Sequence, residues 1–258
     1  MLIDTHAHLW FDDFANDLDD VLARAHTAGV EKVVVPGTHI ASSRKALELA
    51  KKYPGVIYAA VGIHPEEILN SSKVRPSPLL SGRGWVLPSR SDLEGAVAIG
   101  EIGADASNEE LKNCMSAQKE LFRAQCQLAL EFDLPVIIHT RESLAQTLEV
   151  LDALPSMPRG QFHCFSHDEE GVKQVLSRGF YVSFCGNIAW SKRVAKLVPL
   201  VPIDRLLLET DSPFMKPGGR NEPVGVTITA QIIADLRGES LQVIGEQTTV
   251  NALRLFKL

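Results

Sequence analysis

Short apolar runs alternate along the whole chain with longer stretches in which apolar residues recur every three or four positions. The short runs predict strands at 2–5, 32–36, 56–63, 96–101, 135–139, 160–164, 180–184 and 205–209, because four to eight β-branched or aliphatic residues between turn signals is the strand pattern. The longer runs predict helices over 17–28, 42–52, 116–132, 144–154 and 169–178, with two more, about 222–236 and 241–256, closing the chain. Eight strands separated by helices make an α/β chain with the rhythm of a (β/α)8 TIM barrel, a fold that takes about 250 residues. The interval from one strand end to the next averages about 29 residues, close to the ~30 of a βαβ unit. A doubly wound open sheet is the competing architecture, and neither a GxGxxG nor a GxxxxGK[ST] loop supports it. The rhythm never pauses for a linker, so the expectation is one domain over 1–258.

The composition changes this picture little. With 45% hydrophobic and 22% charged residues, the chain can bury a large core. It contains no apolar run near the roughly 20 residues of a membrane helix and no basic-then-apolar secretory start, which points to the cytoplasm. Cys114, Cys126, Cys164 and Cys185 lack the spacing of a zinc site or a disulfide framework and read as reduced packing residues. A formal charge of −6 argues against a protein that coats nucleic acid through its general field, but not against one phosphate held locally.

The reactive residues cluster at one end of these units. His6 and His8 end strand 1, His64 strand 3, Glu101 strand 4 and His139 strand 5; His163 lies near the end of strand 6, and Asp211 ends strand 8. Barrel active sites sit at that carboxyl rim, where side chains distant in sequence converge. Of the 8 histidines, only His26, His39 and His167 fall elsewhere. The pattern predicts a metal centre. Alternation along an extended chain puts His6 and His8 on one face with Asp4 a step lower. On strand 8, Glu209 lies beneath Asp211. A carboxylate buried there needs a partner, and the ring N–H of a ligating histidine is the expected one for both Glu209 and Asp4. On strand 6, Phe162 and Cys164 face the helices.

Ile3-Asp4-Thr5-His6-Ala7-His8, Val61-Gly62-Ile63-His64-Pro65, Ile99-Gly100-Glu101-Ile102-Gly103, Leu134-Pro135-Val136-Ile137-Ile138-His139, Phe162-His163-Cys164-Phe165-Ser166 and Leu208-Glu209-Thr210-Asp211-Ser212-Pro213 resemble, in order, the motifs of the TatD family of metal-dependent deoxyribonucleases. Arg220-Asn221-Glu222-Pro223 resembles a further family segment. The resemblance implies a barrel hydrolase of the amidohydrolase-like superfamily with two divalent ions (Mg, Mn or Zn). His6, His8, Glu101 and Asp211 would surround one ion, and Glu101, His139 and His163 the other. His64 matches a position lining the substrate pocket, and Arg141 is read with it as a substrate contact. Two departures stand out. His167 occupies a position where the family usually has glycine. The stretch 70–93 reads as a loop where relatives carry a helix; its Arg75, Arg83, Trp85 and Arg90 are suited to a nucleic-acid strand, while a solvated surface excursion is the plainer reading.

The expected chemistry is hydrolysis by a hydroxide shared between the two ions, with Glu101 bridging them and Asp211 orienting the hydroxide and moving its proton. No lysine on strand 4 offers the carbamylated bridge that many related hydrolases use. Imidazoles favour Zn²⁺ or Mn²⁺ over Mg²⁺, whereas family members are commonly regarded as Mg²⁺-dependent. The expected substrate is DNA, as ends or short single strands, with no obligatory protein partner. The alternatives are D-aminoacyl-tRNA deacylation or another ester or amide hydrolysis at the same site, and a non-catalytic metal-binding protein.

Overall fold

The computed structural model describes residues 1–69 and 87–258. Eight parallel strands follow one another in chain order around one sheet: β1 (Leu2–Asp4), β2 (Val30–Pro36), β3 (Ile57–Val61), β4 (Ala96–Asp105), β5 (Val136–Arg141), β6 (Gly160–Phe162), β7 (Tyr181–Phe184) and β8 (Leu206–Leu208). The helices are α1 (Leu18–Thr27), α2 (Ile40–Lys52), α3 (Glu109–Asn113), α4 (Met115–Glu131), α5 (Leu144–Asp152), α6 (Glu169–Ser177), α7 (Lys192–Ala195), α8 (Val226–Arg237) and α9 (Leu241–Phe256). This is the (β/α)8 barrel the periodicity predicts. The short helices α3 and α7 were not expected. Arg75, Arg83 and Trp85 lie outside the described residues; Arg90 begins a one-turn helix capped by Ser89 and lies over the Phe132 ring.

Alternation along the strands divides the core into two layers. Val33, Val35, Ala59, Val61, Val136, Ile138, Phe162, Val182 and Leu208 pack outward against apolar faces of the helices, including Val21 and Ala25 of α1 and Phe122 of α4. Ile3, Val34, Ala60, Ala98, Ile137, Tyr181 and Leu207 fill the barrel interior, with Leu255 and Phe256 of α9 against them. A barrel interior filled by one side chain from each of several strands is a packed core and not a pore. No helix among the described residues is long and apolar enough to cross a membrane.

The two ends of the sheet meet just beyond β1 and β8. The Thr5 amide and hydroxyl both donate to Leu208 O, Asp211 N donates to His6 O, and His8 N donates to Ser212 O. Asp4 takes part in this closure. One of its oxygens accepts the Thr210 amide at 3.0 Å and the other the Thr210 hydroxyl at 2.5 Å. The loop after β8 is braced from outside by Arg220, paired with Asp17 and Glu222, and from below by Asn221, whose amide donates to Thr210 O.

Candidate metal centre

Regular alternation alone would not assemble the site. Ile3 points into the barrel, so Asp4 points away from the interior and not beneath His6 as the sequence suggested. The chain bends at Thr5, held by its two bonds to Leu208 O, and beyond that bend His6 and His8 both reach Asp211, His8 at the wall of the carboxyl-end cleft and His6 buried behind it. On β4, Ala98 faces inward, which would turn Glu101 outward. The β4–β5 register slips between Ile99 and Ile102, so β4 carries an extra residue there. A bulge of this kind re-aims a side chain, and it delivers Glu101 to the centre. Gly62 makes room for it: a Cβ at Gly62 would stand 2.6 Å from the Gly100 carbonyl carbon. Asp211 sits in the left-handed region at φ 56°, a conformation aspartate tolerates better than most residues.

The result is one carboxylate between two groups of imidazoles. Glu101 Oε2 faces His6 Nε2 at 3.3 Å and His8 Nε2 at 3.4 Å, and Asp211 Oδ1 lies 3.7 and 3.6 Å from the same two nitrogens. Glu101 Oε1 faces His163 Nε2 at 2.8 Å, His139 Nδ1 at 3.0 Å and His64 Nε2 at 3.4 Å. His8, His64, Glu101, His139, His163 and Asp211 line a cleft of about 820 Å³ whose mouth includes Trp10, Phe11, Arg141 and Phe214, and His6 lies buried behind them.

Neighbours set several ring orientations. His8 Nδ1 donates to Pro36 O at 3.2 Å, which leaves the Nε2 lone pair toward the cleft. His139 Nε2 donates to Asp105 Oδ2 at 2.8 Å, which leaves Nδ1 free to ligate. His64 is the reverse: its Nδ1 accepts the Glu66 amide, so the neutral ring carries its proton on Nε2, the nitrogen that faces Glu101. Glu209 approaches His163 Nδ1 only to 3.6 Å; its oxygens instead accept the Cys164 amide at 2.7 Å and the Ser183 hydroxyl at 2.6 Å.

Electrostatics make this a cation site. Asp4, Glu101, Asp105, Glu209 and Asp211 are all buried, and among the described residues no lysine or arginine is. Burial opposes ionisation of Glu101, yet His163, His64 and His6 hold its carboxyl well below the usual range. Burial likewise opposes the charged form of Asp211, and the His8 contact outweighs it. For His163 the order is the same: burial disfavours the charged ring, and Glu101 nevertheless lifts its pKa well above the ordinary histidine value. Asp4 differs, because burial raises its pKa well above the carboxylate range despite its bonds to Thr210 and His6. Buried anions without fixed basic partners are stabilised by metal ions, and donor nitrogens aimed at shared carboxylate oxygens supply the coordination. The donor set therefore fits divalent cations.

All six residues read as metal ligands converge here, His64 stands among them, and Arg141 is exposed at the cleft rim. Cys164, expected to face the helices, edges the cleft in a left-handed conformation, its sulfur 2.8 Å from that of Cys185. His167 joins two rim loops through Nε2 and Thr140 O. Sequence reasoning missed Asp105, four residues past Glu101; the signal was there, since the apolar run of strand 4 continues to it. Asp105→Asn is expected to weaken metal affinity or turnover about 10–100-fold by loosening the His139 ring. Metal titration and kcat check this, and parent values in both would remove Asp105 from the site.

The chain matches the TatD related DNase family model over residues 3–257. It is 36% identical over 265 residues to the metal-dependent hydrolase YabD of Bacillus subtilis (strain 168), with 100% of each chain covered. It is 32% identical over 271 residues to the 3'-5' ssDNA/RNA exonuclease TatD of Erwinia billingiae, covering 100% of this chain and 99% of that one. The crystal structure of the TatD homolog YJJV from Escherichia coli K12 superposes with a TM-score of 0.85 at 29% identity, covering 100% of this chain and 98% of that chain. With the motifs, the barrel and the cation site in agreement, the chain belongs to the TatD family of metal-dependent hydrolases.

Proposed function

We propose that this chain is a two-metal phosphodiesterase that shortens single-stranded DNA from an end. The observation that carries the reading is the Glu101 carboxylate, whose two oxygens face separate groups of imidazole donors. His6, His8, Glu101 and Asp211 would hold one ion, and Glu101, His139 and His163 the other. Relatives named as single-strand exonucleases support the substrate. When bound, the ions supply Lewis acidity at the phosphoryl group and a nucleophile at neutral pH.

The remaining work belongs to the side chains. Asp211, held ionised beside His8, takes the proton from the attacking water. Asp105 holds His139 in the tautomer that presents Nδ1, and His8 is set likewise by Pro36 O. Arg141, at the rim, offers a planar guanidinium to a phosphate. Asp4 and Glu209 stiffen the backbone around the ligands, Asp4 through Thr210 and Glu209 through the Cys164 amide.

His64 stands with Glu101 and His139 in a group that could hold an ion, but the Glu66 amide on its Nδ1 favours the tautomer with the proton on Nε2, and we assign it to the substrate, where it would donate to a phosphoryl oxygen as charge builds there. His64→Ala is expected to keep the parent metal content and lose about 100-fold or more in kcat, the usual loss for a transition-state donor. Metal analysis alongside kinetics tests this, and a loss of bound metal would make His64 a ligand.

The substrate is tested by offering linear single-stranded DNA, closed circular DNA and D-aminoacyl-tRNA with Mg²⁺, Mn²⁺ or Zn²⁺. The expected result is progressive shortening of the linear strand and intact circles. Intact linear DNA together with released amino acid would replace this reading with deacylation.

A further inference from the structure

We propose that the rim formed by the segments before and after β8 is a single-strand track: unpaired bases stack on Phe214 and Trp190, and Lys192 and Lys196 hold the phosphates that follow. The inference rests on the phosphodiesterase reading for its substrate class, and it adds where the uncleaved part of the strand runs.

Among the described residues, Trp190 and Phe214 are the two strongly exposed tryptophan or phenylalanine side chains, at 50% and 47% of their surface. A single exposed ring needs no explanation, but these two share one rim. Phe214 lines the cleft, its ring 6.1 Å from the His8 ring and 5.4 Å edge-to-face from Phe11. Met215, next in the chain, continues the lining, and its carbonyl lies against Gly186 together with the Trp190 ring. A Cβ at Gly186 would stand 2.6 Å from Met215 O and 3.7 Å from Trp190. The surface thus runs from the candidate ligand His8 through Phe214 and Met215 to Trp190 with glycine beneath it.

Lys192, Arg193 and Lys196 follow immediately, all exposed. Arg193 is committed to the fold, donating to Ser166 O and His167 O and tying α7 to the cleft-lining Ser166 loop. Lys192 and Lys196 make no ion pair among the described residues. Asp168 and Glu169 share their hollow, and Asp168 caps α6 through the Gly171 amide; the strand is therefore placed on the lysine side. Exposed rings leading into free cations form the combination that binds unpaired nucleic acid, since every base has a face to stack and every nucleotide a phosphate. A duplex hides those faces. On a chain of net charge −6 this local cluster, and not the general field, would draw the strand in.

The test uses the full chain and a fluorescent, cleavage-resistant phosphorothioate oligothymidylate of about twelve nucleotides, within the span of known single-strand sites. In anisotropy titrations, Trp190→Ala is expected to raise Kd about tenfold. Lys192→Ala with Lys196→Ala is expected to flatten the slope of log Kd against log salt by about 1.4, at ~0.7 per phosphate. Hydrolysis of thymidine p-nitrophenyl phosphate, which has no further nucleotides, should match the parent in all of these variants. Parent-like oligonucleotide affinity and salt slope overturn the track, as does a loss of small-substrate hydrolysis in Trp190→Ala, which would mark the ring as structural. If the strand binds through these residues but no phosphodiester is cut, the track stands and the phosphodiesterase reading falls.

Discussion

Glu101→Gln is expected to leave at most one tightly bound ion and to reduce hydrolysis of single-stranded DNA by at least about a thousandfold. The substitution keeps the side-chain shape but removes the charge that stands within 3.4 Å of His6, His8, His64, His139 and His163 together. An amide is neutral and offers one carbonyl oxygen where the carboxylate offered two, so both groups of imidazoles lose the shared charge and one of them also loses its oxygen. Losing the second ion removes both help in forming the nucleophile and stabilisation of the leaving oxygen. Metal analysis after gel filtration, kcat on a linear oligonucleotide and circular dichroism decide the matter. Two ions per chain and a near-parent rate in a folded variant would sink the two-metal reading; one ion with only a mild loss would favour a single-ion mechanism.

The second large effect is expected at Asp211. Asp211→Asn retains an oxygen toward His6 and His8 but cannot take up a proton, so kcat should fall about 10²–10⁴-fold, the usual contribution of a positioned base. KM and metal content should change far less, because Glu101 and the two histidines remain. A variant that loses metal in proportion to activity would show that Asp211 serves mainly as a ligand, and one that keeps full activity would move the proton acceptor elsewhere.

The barrel and its rim were legible because both rest on local signals: strand-length apolar runs, helical periodicity, and imidazole or carboxylate side chains at the carboxyl end of one run after another. What eluded sequence reasoning depends on departures from regularity. Strict alternation places Asp4 beneath His6, but the bend at Thr5 is made by Leu208, more than two hundred positions away, and no local pattern announces it. Glu101 reaches the centre through an extra residue in β4, which a strand pattern counted in twos cannot reveal. Asp105 lies beyond the first reactive residue of strand 4, and only the continued pairing of β4 with β5 shows that the strand reaches it. Which nitrogen of His64 faces Glu101 is set by the Glu66 amide in the turn that follows it.

The closure at Thr5 also bears on how the protein comes to hold metal. Asp4 and Thr210 are joined across 206 positions, and Asp211 meets His8 only when the first and last strands lie side by side. Contacts of such separation form late, since the chain between them must already be ordered. A nascent chain that has made β1 to β7 therefore presents the imidazoles and Glu101 without Asp211 beside them. The His6, His8 and Asp211 group that could hold an ion is thus complete only once β8 has closed against β1, and an ion held there would also tie the two chain ends together.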